Sequence, residues 1–528
     1  MRPGAGLFGL LLLLVSAASP AADENLLRIG NGQEPETLDP HRGEGVSTAN
    51  ILRDLYEGLT AVAPDGRVVP GAAVAWEITG DGLEYRFELR PGARWSNGDP
   101  LTAADFVAGL RRSVDPATGS SFAGMLAPIA GAEAVTAGRL PPSALAVAAL
   151  APDRLRIRLV RPTPHFLGLL SHSTTFPIHR PSLQRWGRGF ARPGRLVSNG
   201  AYRLDDWIVQ SRVRLVRNPH YWNDRATRIT RVDYLATEDL DSELKRYRAD
   251  ELDVSFQVPL VQVPRLRQTH AAELRVAPYL GVYYYGFNLT QPPFKDQPGL
   301  RRALALVIDR ELIAGKLMHG LAQPAWGWVP PGTAGWPAER PAWTRVDAAR
   351  RLEEARRLYA AAGYDAAHPL EVEIRYNTHE DHRRIAVLVA AMWKQALGVR
   401  TRLVNEEGKV YLNNRRLRRV TQVFRASWIG DYDDPSSFTD ILRSNHGQND
   451  TGWNQPRYDA LLDAAAAARD AQQRQALLQQ AEALILEEWP VIPIYWYTSK
   501  HLVKPRVQGW QDNLLDYHYS KDLWLSGR

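Results

Sequence analysis

The sequence contains no cysteine, and this absence restricts how a chain of 528 residues can be held together. Disulfide bonds, cysteine-based zinc sites and thiol catalysis are all excluded. The folded state must therefore be stabilised by apolar packing and not by cross-links. Hydrophobic residues make up 45% of the chain, and the length predicts about two to four domains rather than one.

The first 22 residues have the pattern of a secretory signal peptide. Arg2 supplies a basic start, and the apolar run from Leu7 to Val15 is too short to cross a bilayer. Small residues follow, with Ser19 and Ala21 at the small-residue positions of a cleavage site. The charged pair Asp23-Glu24 argues against the alternative, a buried N-terminal helix. We expect cleavage of this leader and, because no cysteine can carry a lipid, release into the periplasm without a membrane tether.

Strand-like and helix-like patterns alternate along the rest of the chain. Residues 84–90 alternate strictly between apolar and polar and predict a strand, and an aromatic run at 494–497 predicts another. Residues 102–105 form a capping-box pattern before a helix, and residues 347–362 carry apolar side chains at helical spacing up to Gly363. Without long-period repeats, this alternation indicates the α/β class. Because no flexible linker is present, we expect interwoven lobes that the chain enters more than once.

An acidic turn follows a predicted strand in the last quarter of the chain. Its carboxylates belong to Asp431, Asp433 and Asp434. A carboxylate at the open end of a strand, flanked by Trp428 and Tyr432, suits capture of a cation at the mouth of an α/β cleft. The alternative is a solvated turn in which Asp434 caps a helix that begins near Pro435. Since acidic turns are common, the residues alone leave both interpretations open.

The sequence offers no convincing catalytic or metal-binding constellation. His379 and His382 are three residues apart, but such a pair alone is a weak metal signal, and the exposed start of a helix is the alternative. The basic run of residues 415–419 is typical of a solvated surface. A net charge of +7 over 528 residues gives no support for nucleic-acid binding, which export also argues against. No nucleophile elbow, phosphate-binding loop or zinc-protease motif occurs, so we expect a binding protein with no metal and no cofactor.

Several motifs, in order along the chain, resemble those of one known family. They are Tyr56–Leu59 (YEGL), Trp95–Phe106 (WSNGDPLTAADF), Val114–Pro116 (VDP), Ser198–Tyr202 (SNGAY), Tyr283–Tyr285 (YYY), Pro292–Phe294 (PPF) and Gly430–Tyr432 (GDY). Together these motifs extend over essentially the whole mature chain. The chain resembles the oligopeptide-binding proteins of bacterial ABC importers, solute-binding protein family 5.

The resemblance implies an α/β, type II periplasmic-binding-protein fold with two hinged α/β lobes plus an additional lobe. After the signal peptide at 1–22, lobe I would comprise residues 23–56, 182–280 and 499–528, lobe II residues 57–181, and lobe III residues 281–498. The implied ligand is an oligopeptide of about 2–5 residues, bound in the cleft between closing lobes. The implied partners are the membrane permease subunits of an ABC importer, and the protein would be a periplasmic monomer. Murein peptides or another non-standard ligand remain alternatives, as does a periplasmic peptidase or amidase.

The resemblance also assigns roles to individual residues. Asp431 matches the aspartate that binds the peptide ammonium, and Arg425, His382 and Arg415 match positive groups near the peptide carboxylate. The remaining matches are Glu44 and Val46 at the start of the site, Ser427 and Ile429 for pairing with the ligand backbone, and Trp428, Tyr497 and Phe122 as aromatic walls. The chain departs from the pattern at Met318, Gly286 and Gly408, where relatives carry Lys, Glu and Trp. These departures leave the preferred peptide length and side chains open.

Overall fold

The computed structural model describes residues 25–337, 340–468 and 470–527. The predicted signal peptide, with its cleavage site near Ser19 and Ala21, lies outside the described residues. No described helix combines the length and the apolar character needed to cross a membrane. The architecture is mixed α/β, as the alternating patterns predict.

The strands of the described chain form three larger sheets and two short ribbons. They are β1 (Leu26–Gly30), β2 (Thr60–Val62), β3 (Val68–Pro70), β4 (Ala73–Ile78), β5 (Glu84–Leu89), β6 (Val147–Ala151), β7 (Arg154–Arg158), β8 (Tyr202–Ile208), β9 (Arg212–Arg217), β10 (Arg231–Leu235), β11 (Leu274–Phe287), β12 (Ala322–Pro324), β13 (Glu371–Asn377), β14 (Arg400–Glu406), β15 (Val423–Ile429), β16 (Val491–Leu502), β17 (Val507–Gln508) and β18 (Trp524–Leu525).

The helices connect these strands. They are α1 (Gly45–Leu55), α2 (Ala103–Val114), α3 (Ala132–Thr136), α4 (Phe166–Leu169), α5 (Arg180–Trp186), α6 (Leu240–Arg248), α7 (Val263–Thr269), α8 (Pro298–Leu306), α9 (Arg310–Leu312), α10 (Ala348–Ala361), α11 (Glu380–Leu397), α12 (Gly408–Leu417), α13 (Ser436–Thr439), α14 (Pro456–Ala467) and α15 (Ala471–Glu488).

Two of the larger sheets lie in the segments assigned to lobes I and II. The sheet of lobe I has the order β1-β10-β9-β8, in which only β1 and β10 are parallel. The sheet of lobe II is antiparallel, with the order β4-β5-β7-β6, and α2 packs on it. The predicted capping box at the start of α2 is confirmed, because Thr102 and Asp105 satisfy each other's backbone N–H groups.

Lobes I and II share one apolar core. A single cluster of buried side chains includes Leu27 and Ile51 from lobe I together with Tyr85, Phe87 and Phe106 from lobe II. A second cluster lies entirely between residues 283 and 495 of lobe III. Lobe II is therefore packed onto lobe I and has no described core cluster of its own.

Lobe III is built on a six-stranded sheet with the order β12-β16-β11-β15-β13-β14. Strand β13 is parallel to both of its neighbours, and the other pairs are antiparallel. The helix predicted over 347–362 is present as α10, and the carboxylate of Asp347 accepts the N–H of Arg350 at its first turn. Gly398 ends α11 with a φ of 77°, a left-handed conformation that a glycine adopts without strain.

Strands β11 and β16 run from lobe III into lobe I. Their antiparallel pairing extends from Gly286 opposite Val491 to Leu274 opposite Leu502, with a register shift between Pro278 and Val282. The aromatic run at 494–497 predicts only the middle of β16; the strand continues because its polar second half pairs with the lobe I part of β11. These two strands are the long connection between the lobes, and their register shift lies beside the predicted boundary at residue 281.

Candidate functional site

Strand β15 has an unpaired edge at its C-terminal half. Strand β11 pairs with it along its whole length, from Val423 to Ile429. On the other side, among the described residues, β13 pairs only with Val423 and Phe424. The backbone from Arg425 onward therefore has a neighbour on one side only, which leaves room for another extended chain.

The orientation of the backbone shows which groups face this edge. The N–H of Gly430 bonds to the carbonyl of Leu280 at 2.8 Å, on the side of β11, whereas the carbonyl of Arg425 accepts a hydrogen bond from the Tyr411 hydroxyl of α12. Residues two apart in a strand point the same way. The backbone groups of Ser427 and Ile429 therefore face the unpaired edge.

Arg425 is a largely buried cation at the start of this edge. Its Nη2 donates to the Ser427 hydroxyl and to the Tyr497 hydroxyl, both at 3.3 Å. The guanidinium carbon lies 4.7 Å from the centre of the Tyr283 ring. No carboxylate in the described parts of the chain pairs with Arg425, and its Nε is buried without a hydrogen-bond partner. An arginine stays charged in any environment, so this group is suited to an anion that the protein itself does not supply.

His382 lies beside Arg425 but does not add a second cation. Its Nδ1 lies 3.4 Å from the hydroxyl of Tyr283. Burial, together with the positive charge of Arg425, lowers the pKa of His382 far below its usual value. The ring is therefore neutral near pH 7 and offers a hydrogen bond, which corrects the expectation of a positive group. The neighbouring His379 accepts the N–H of Asp381 at 3.2 Å at the start of α11, so this residue serves the helix terminus.

Arg415 already has an internal partner. Its Nε lies 2.6 Å from a carboxylate oxygen of Asp450, and both side chains are nearly buried. This ion pair connects α12 to the loop that follows α13. The expectation that Arg415 faces a ligand carboxylate is therefore not supported by its contacts, and the predicted solvated surface does not include this residue.

The three carboxylates of the acidic turn have three different environments. Asp434 forms a two-point ion pair with Arg474 at 2.7 and 3.0 Å and accepts the N–H of Ser436 at 2.9 Å. Asp433 accepts the N–H of Ala334 at 2.8 Å. Within the described residues, no group donates to the carboxylate of Asp431, whose pKa burial raises to about 6. The alternative of a solvated turn is wrong for Asp434, which is buried and paired with Arg474, although its carboxylate does accept an N–H of the first turn of α13. Capture of a cation by Asp431 stays a prediction.

The other two lobes approach the acidic turn. The ring of His165, in lobe II, stacks on Tyr432 with centroids 4.3 Å apart and planes 5° apart. In lobe I, Tyr517 packs under the guanidinium of Arg53 at 3.9 Å. Burial raises the pKa of Tyr517, the charge of Arg53 lowers it, and the charge of Asp431 raises it.

The predicted site residues of lobes I and II contact neighbours within those lobes. Glu44 precedes α1 and accepts a hydrogen bond from Ser121. Val46 is 46% exposed and lines a small cavity of lobe I. Phe122 packs against the ring of His172, with centroids 4.9 Å apart. Of the aromatic walls on lobe III, Trp428 is opposite Val282 in β11, and Tyr497 meets Arg425 as described above.

The three departures from the family pattern also have structural explanations. Met318 is buried in the apolar core of lobe III. A Cβ at Gly286 would lie 2.1 Å from the ring of Phe424, so this site in β11 admits no side chain unless that ring moves. A Cβ at Gly408 would have no atom within 4 Å, which means that a larger side chain has room there.

Comparison with known proteins agrees with this geometry. The sequence profile of the bacterial extracellular solute-binding proteins, family 5, middle region, matches residues 67–450. The chain belongs to this family. Its members are binding proteins, and the fold of this solute-binding protein is the type II periplasmic-binding-protein fold with two hinged lobes and an additional lobe, as predicted.

Three relatives illustrate the range within the family. This solute-binding protein is 37% identical to the periplasmic oligopeptide-binding protein OppA of Escherichia coli over 97% of its own length and 94% of that protein. It is 40% identical to the probable deoxycholate-binding periplasmic protein YgiS of the same organism, over 97% and 95% of the two chains. The structure of the Escherichia coli murein tripeptide binding protein MppA superposes with a TM-score of 0.84 at 36% identity, covering 96% of this chain and 99% of that one.

Proposed function

We propose that this solute-binding protein captures short peptides in the cleft between lobes I and III and delivers them to an ABC-type peptide permease. The observation that carries the proposal is the edge of β15 between Arg425 and Asp431. Among the residues that the structure describes, this edge has no strand partner and neither charge has an ion-pair partner. A zwitterionic, extended peptide supplies the missing partner at each of these three places. The mode is β-strand addition, in which main-chain hydrogen bonds give affinity without sequence preference.

The two charges define the ends of the bound peptide. The carboxylate of Asp431 would accept hydrogen bonds from the N-terminal ammonium of the peptide, and Arg425 would pair with the carboxylate at its C-terminus. Charge-assisted hydrogen bonds are about twice as strong as neutral ones, and they gain further in a closed cleft. The free edge of β15 runs from Arg425 to Ile429, which is roughly 13 Å at the rise of a strand. An extended peptide segment of about three or four residues would pair along this length.

Closure of the cleft would complete the site. Lobe III would turn relative to lobes I and II about the connection through β11 and β16, and the stacking of His165 on Tyr432 supports contact of lobe II with the acidic turn in the closed state. Glu44, Val46 and Phe122 would then cover the peptide from the other side. Arg415 has no place in this proposal because Asp450 already neutralises it.

The carboxylate of Asp431, which has no partner among the described residues, favours a ligand with an ammonium group. Deoxycholate, which the name of one relative gives as its probable ligand, is an anion without an ammonium group, so it would leave Asp431 unpaired in a closed site. An uncompensated buried charge is costly. Murein peptides carry both charges and remain a candidate within the same site. Ser436 lies 3.3 Å from His165 at the acidic turn, but its buried hydroxyl donates to Asp434 at 2.6 Å. Because this hydroxyl is committed to the turn, we propose binding and not peptide hydrolysis.

The leader pattern and the periplasmic relatives support the proposed compartment. We propose that the mature protein is released into the periplasm after cleavage near Ala21 and works there as a monomer. Membrane permease subunits of an ABC importer would be its partners. N-terminal sequencing of the protein from a periplasmic fraction tests the cleavage, and an intact Met1 would contradict it.

The function is tested by calorimetry on protein freed of ligand by unfolding and refolding. Trialanine and a murein tripeptide should bind and raise the melting temperature by mass action. N-acetyl-trialanine, which lacks the ammonium, should bind at least about tenfold more weakly because the charge-assisted bond to Asp431 is lost. Binding of deoxycholate in the absence of any response to peptides of two to five residues would show that peptide capture is the wrong function.

A further inference from the structure

The C-terminal segment of lobe I brings two histidines and an aspartate together. His501 lies on β16, and its Nε2 is 3.0 and 3.1 Å from the two carboxylate oxygens of Asp516. The Nε2 of His518 is 3.0 Å from one of these oxygens. One potential ligand atom from each of the three residues lies within 4.8 Å of those from the other two. The residues are separated along the chain, so no spacing motif in the sequence predicts the group.

The hydrogen bonds around His501 fix its tautomer. Its Nδ1 is 3.0 Å from the backbone carbonyl of Ser255. A carbonyl oxygen only accepts, so Nδ1 must carry a proton. In the neutral ring Nε2 then presents a lone pair toward the carboxylate of Asp516, an arrangement that is unfavourable unless a cation lies between them. A histidine that donates its other N–H to a backbone carbonyl is the usual outer-sphere arrangement of a metal ligand.

The distances fit a metal ion with little rearrangement. Zinc binds histidine nitrogen and carboxylate oxygen at about 2.0–2.2 Å in tetrahedral geometry, which separates its ligand atoms by roughly 3.3 Å. The histidine–carboxylate contacts of 3.0 and 3.1 Å need to lengthen by only a few tenths of an ångström, and the ligand atoms of the two histidines, which lie within 4.8 Å of each other, need to close around the ion. The ring of Trp510 stacks on His518, with centroids 3.6 Å apart, and holds it in place.

A cavity gives the group access to a small ligand. It has a volume of about 50 Å³ and is lined by His501, Asp516 and His518 together with Val46, Tyr234 and Phe256. That volume accommodates an ion and a water molecule as its fourth ligand. Because Val46 is also a predicted cleft residue, the cavity lies beside the lobe I wall of the cleft.

We propose that His501, Asp516 and His518 bind one divalent transition-metal ion, with Zn²⁺ as the best match to two imidazoles and one carboxylate. The ion would join the C-terminal segment to β16, one of the two strands that connect the lobes. The competing explanation is a hydrogen-bonded network in which a proton on His501 takes the place of the metal.

The test measures zinc binding by the mature, full-length protein after dialysis against a chelator. Calorimetry in competition with a chelator of known affinity should show one tightly bound equivalent. His518→Leu removes one ligand with little change of volume and should weaken binding at least tenfold. Asp516→Asn, which preserves shape, should weaken it as well, and circular dichroism establishes that both variants are folded.

His379→Leu is the matched control, because His379 and His382 are the other close histidine pair, with rings 4.7 Å apart. This variant should bind zinc like the wild type. The anomalous signal at the zinc absorption edge in crystals of the loaded protein should lie between His501, Asp516 and His518. Absence of zinc binding, an unchanged affinity in His518→Leu, or a loss in His379→Leu would each overturn the proposal, and the first of these would establish the proton network.

Discussion

Arg415 and Arg425 are both largely buried in lobe III, yet their surroundings differ in one decisive respect. Arg415 pairs with Asp450, and the two charges cancel inside the protein. Arg425 meets only hydroxyl groups and the face of Tyr283, and it has no carboxylate partner among the described residues. The acidic turn repeats the contrast, because Asp434 is paired with Arg474 and Asp431 is not. The buried arginines Arg301 and Arg310 also have no carboxylate partner among the described residues, but backbone carbonyls accept their hydrogen bonds. Arg425 differs from them because it lies at the open edge of β15, and this position is the basis of the proposed ligand contact.

The two arginines give the strongest test of this distinction. Arg425→Met should weaken trialanine binding by about 3–5 kcal/mol, more than a hundredfold, because the peptide carboxylate would remain in a closed site without its cation. Arg415→Met should instead lower the free energy of unfolding by about 3–5 kcal/mol, because Asp450 would be left buried and unpaired. Calorimetry and urea unfolding of both variants separate the two effects. A larger loss of peptide affinity in Arg415→Met than in Arg425→Met would reverse the assignment.

The acidic turn allows the same test at the other end of the cleft. Asp431→Asn keeps the shape and removes the charge, so trialanine affinity should fall by about a hundredfold, and most of the preference over N-acetyl-trialanine should disappear. Asp433→Asn is the control, because Asp433 bonds to the backbone of Ala334. If the control variant lost more affinity than Asp431→Asn, the alignment of the turn with the ammonium site would be wrong.

The pH dependence of binding follows from the raised pKa of Asp431. Burial raises this pKa to about 6, so the free protein is protonated there below pH 6 and must lose that proton to bind an ammonium. Trialanine affinity should be constant between pH 6.5 and 7.5 and fall by about tenfold per pH unit below about pH 6. His382 does not contribute to this range because its pKa is far lower. Calorimetry from pH 5 to 7.5 checks the slope, and a slope of the same size in Asp431→Asn would show that another group titrates.

The smallest expected effect concerns peptide side chains and leaves both charged ends intact. Gly408→Trp fills open space at the start of α12. The binding of peptides with a large side chain should weaken by about 1 kcal/mol, or several-fold, because the new indole occupies space that the side chain needs. Trialanine should bind as before. Titration of tripeptides with Ala or Trp at the middle position measures the difference. A uniform change for all peptides would place residue 408 away from the side-chain pockets.

Local patterns predicted the local parts of the fold. Residues 84–90 and 347–362 carry strong periodicity, and the strand and helix there lie within one residue of their expected bounds. Strand β16 was predicted only in part, because its polar second half is extended by pairing with a distant segment and not by its own pattern. The missing linker predicts interwoven lobes and the bounds of the lobes stay a prediction, whereas the shared core of the segments assigned to lobes I and II depends on contacts between remote residues.

The candidate site also combines features that the sequence predicts with features that depend on contacts between remote residues. The acidic turn is visible in the sequence, but which of Asp431, Asp433 and Asp434 is unpaired depends on Arg474 and Ala334, which lie far away along the chain. In the sequence, Arg415 and Arg425 both resemble cations near a ligand carboxylate. Nothing in the sequence identifies Asp450 as the partner of Arg415. The neutral state of His382 results from burial next to Arg425, and no spacing of residues indicates that.

The shared apolar core of lobes I and II restricts how these two lobes can move relative to each other. Separating these two lobes would expose the cluster that joins them, at about 25 cal/mol for each square ångström of apolar surface, which opposes their separation. Lobe III is joined to them by β11 and β16 and by a smaller buried cluster in which Val62, Leu515 and Tyr519 meet Trp328 and Phe438. Any rotation of lobe III must therefore rearrange this smaller cluster, whereas the larger one between lobes I and II stays intact.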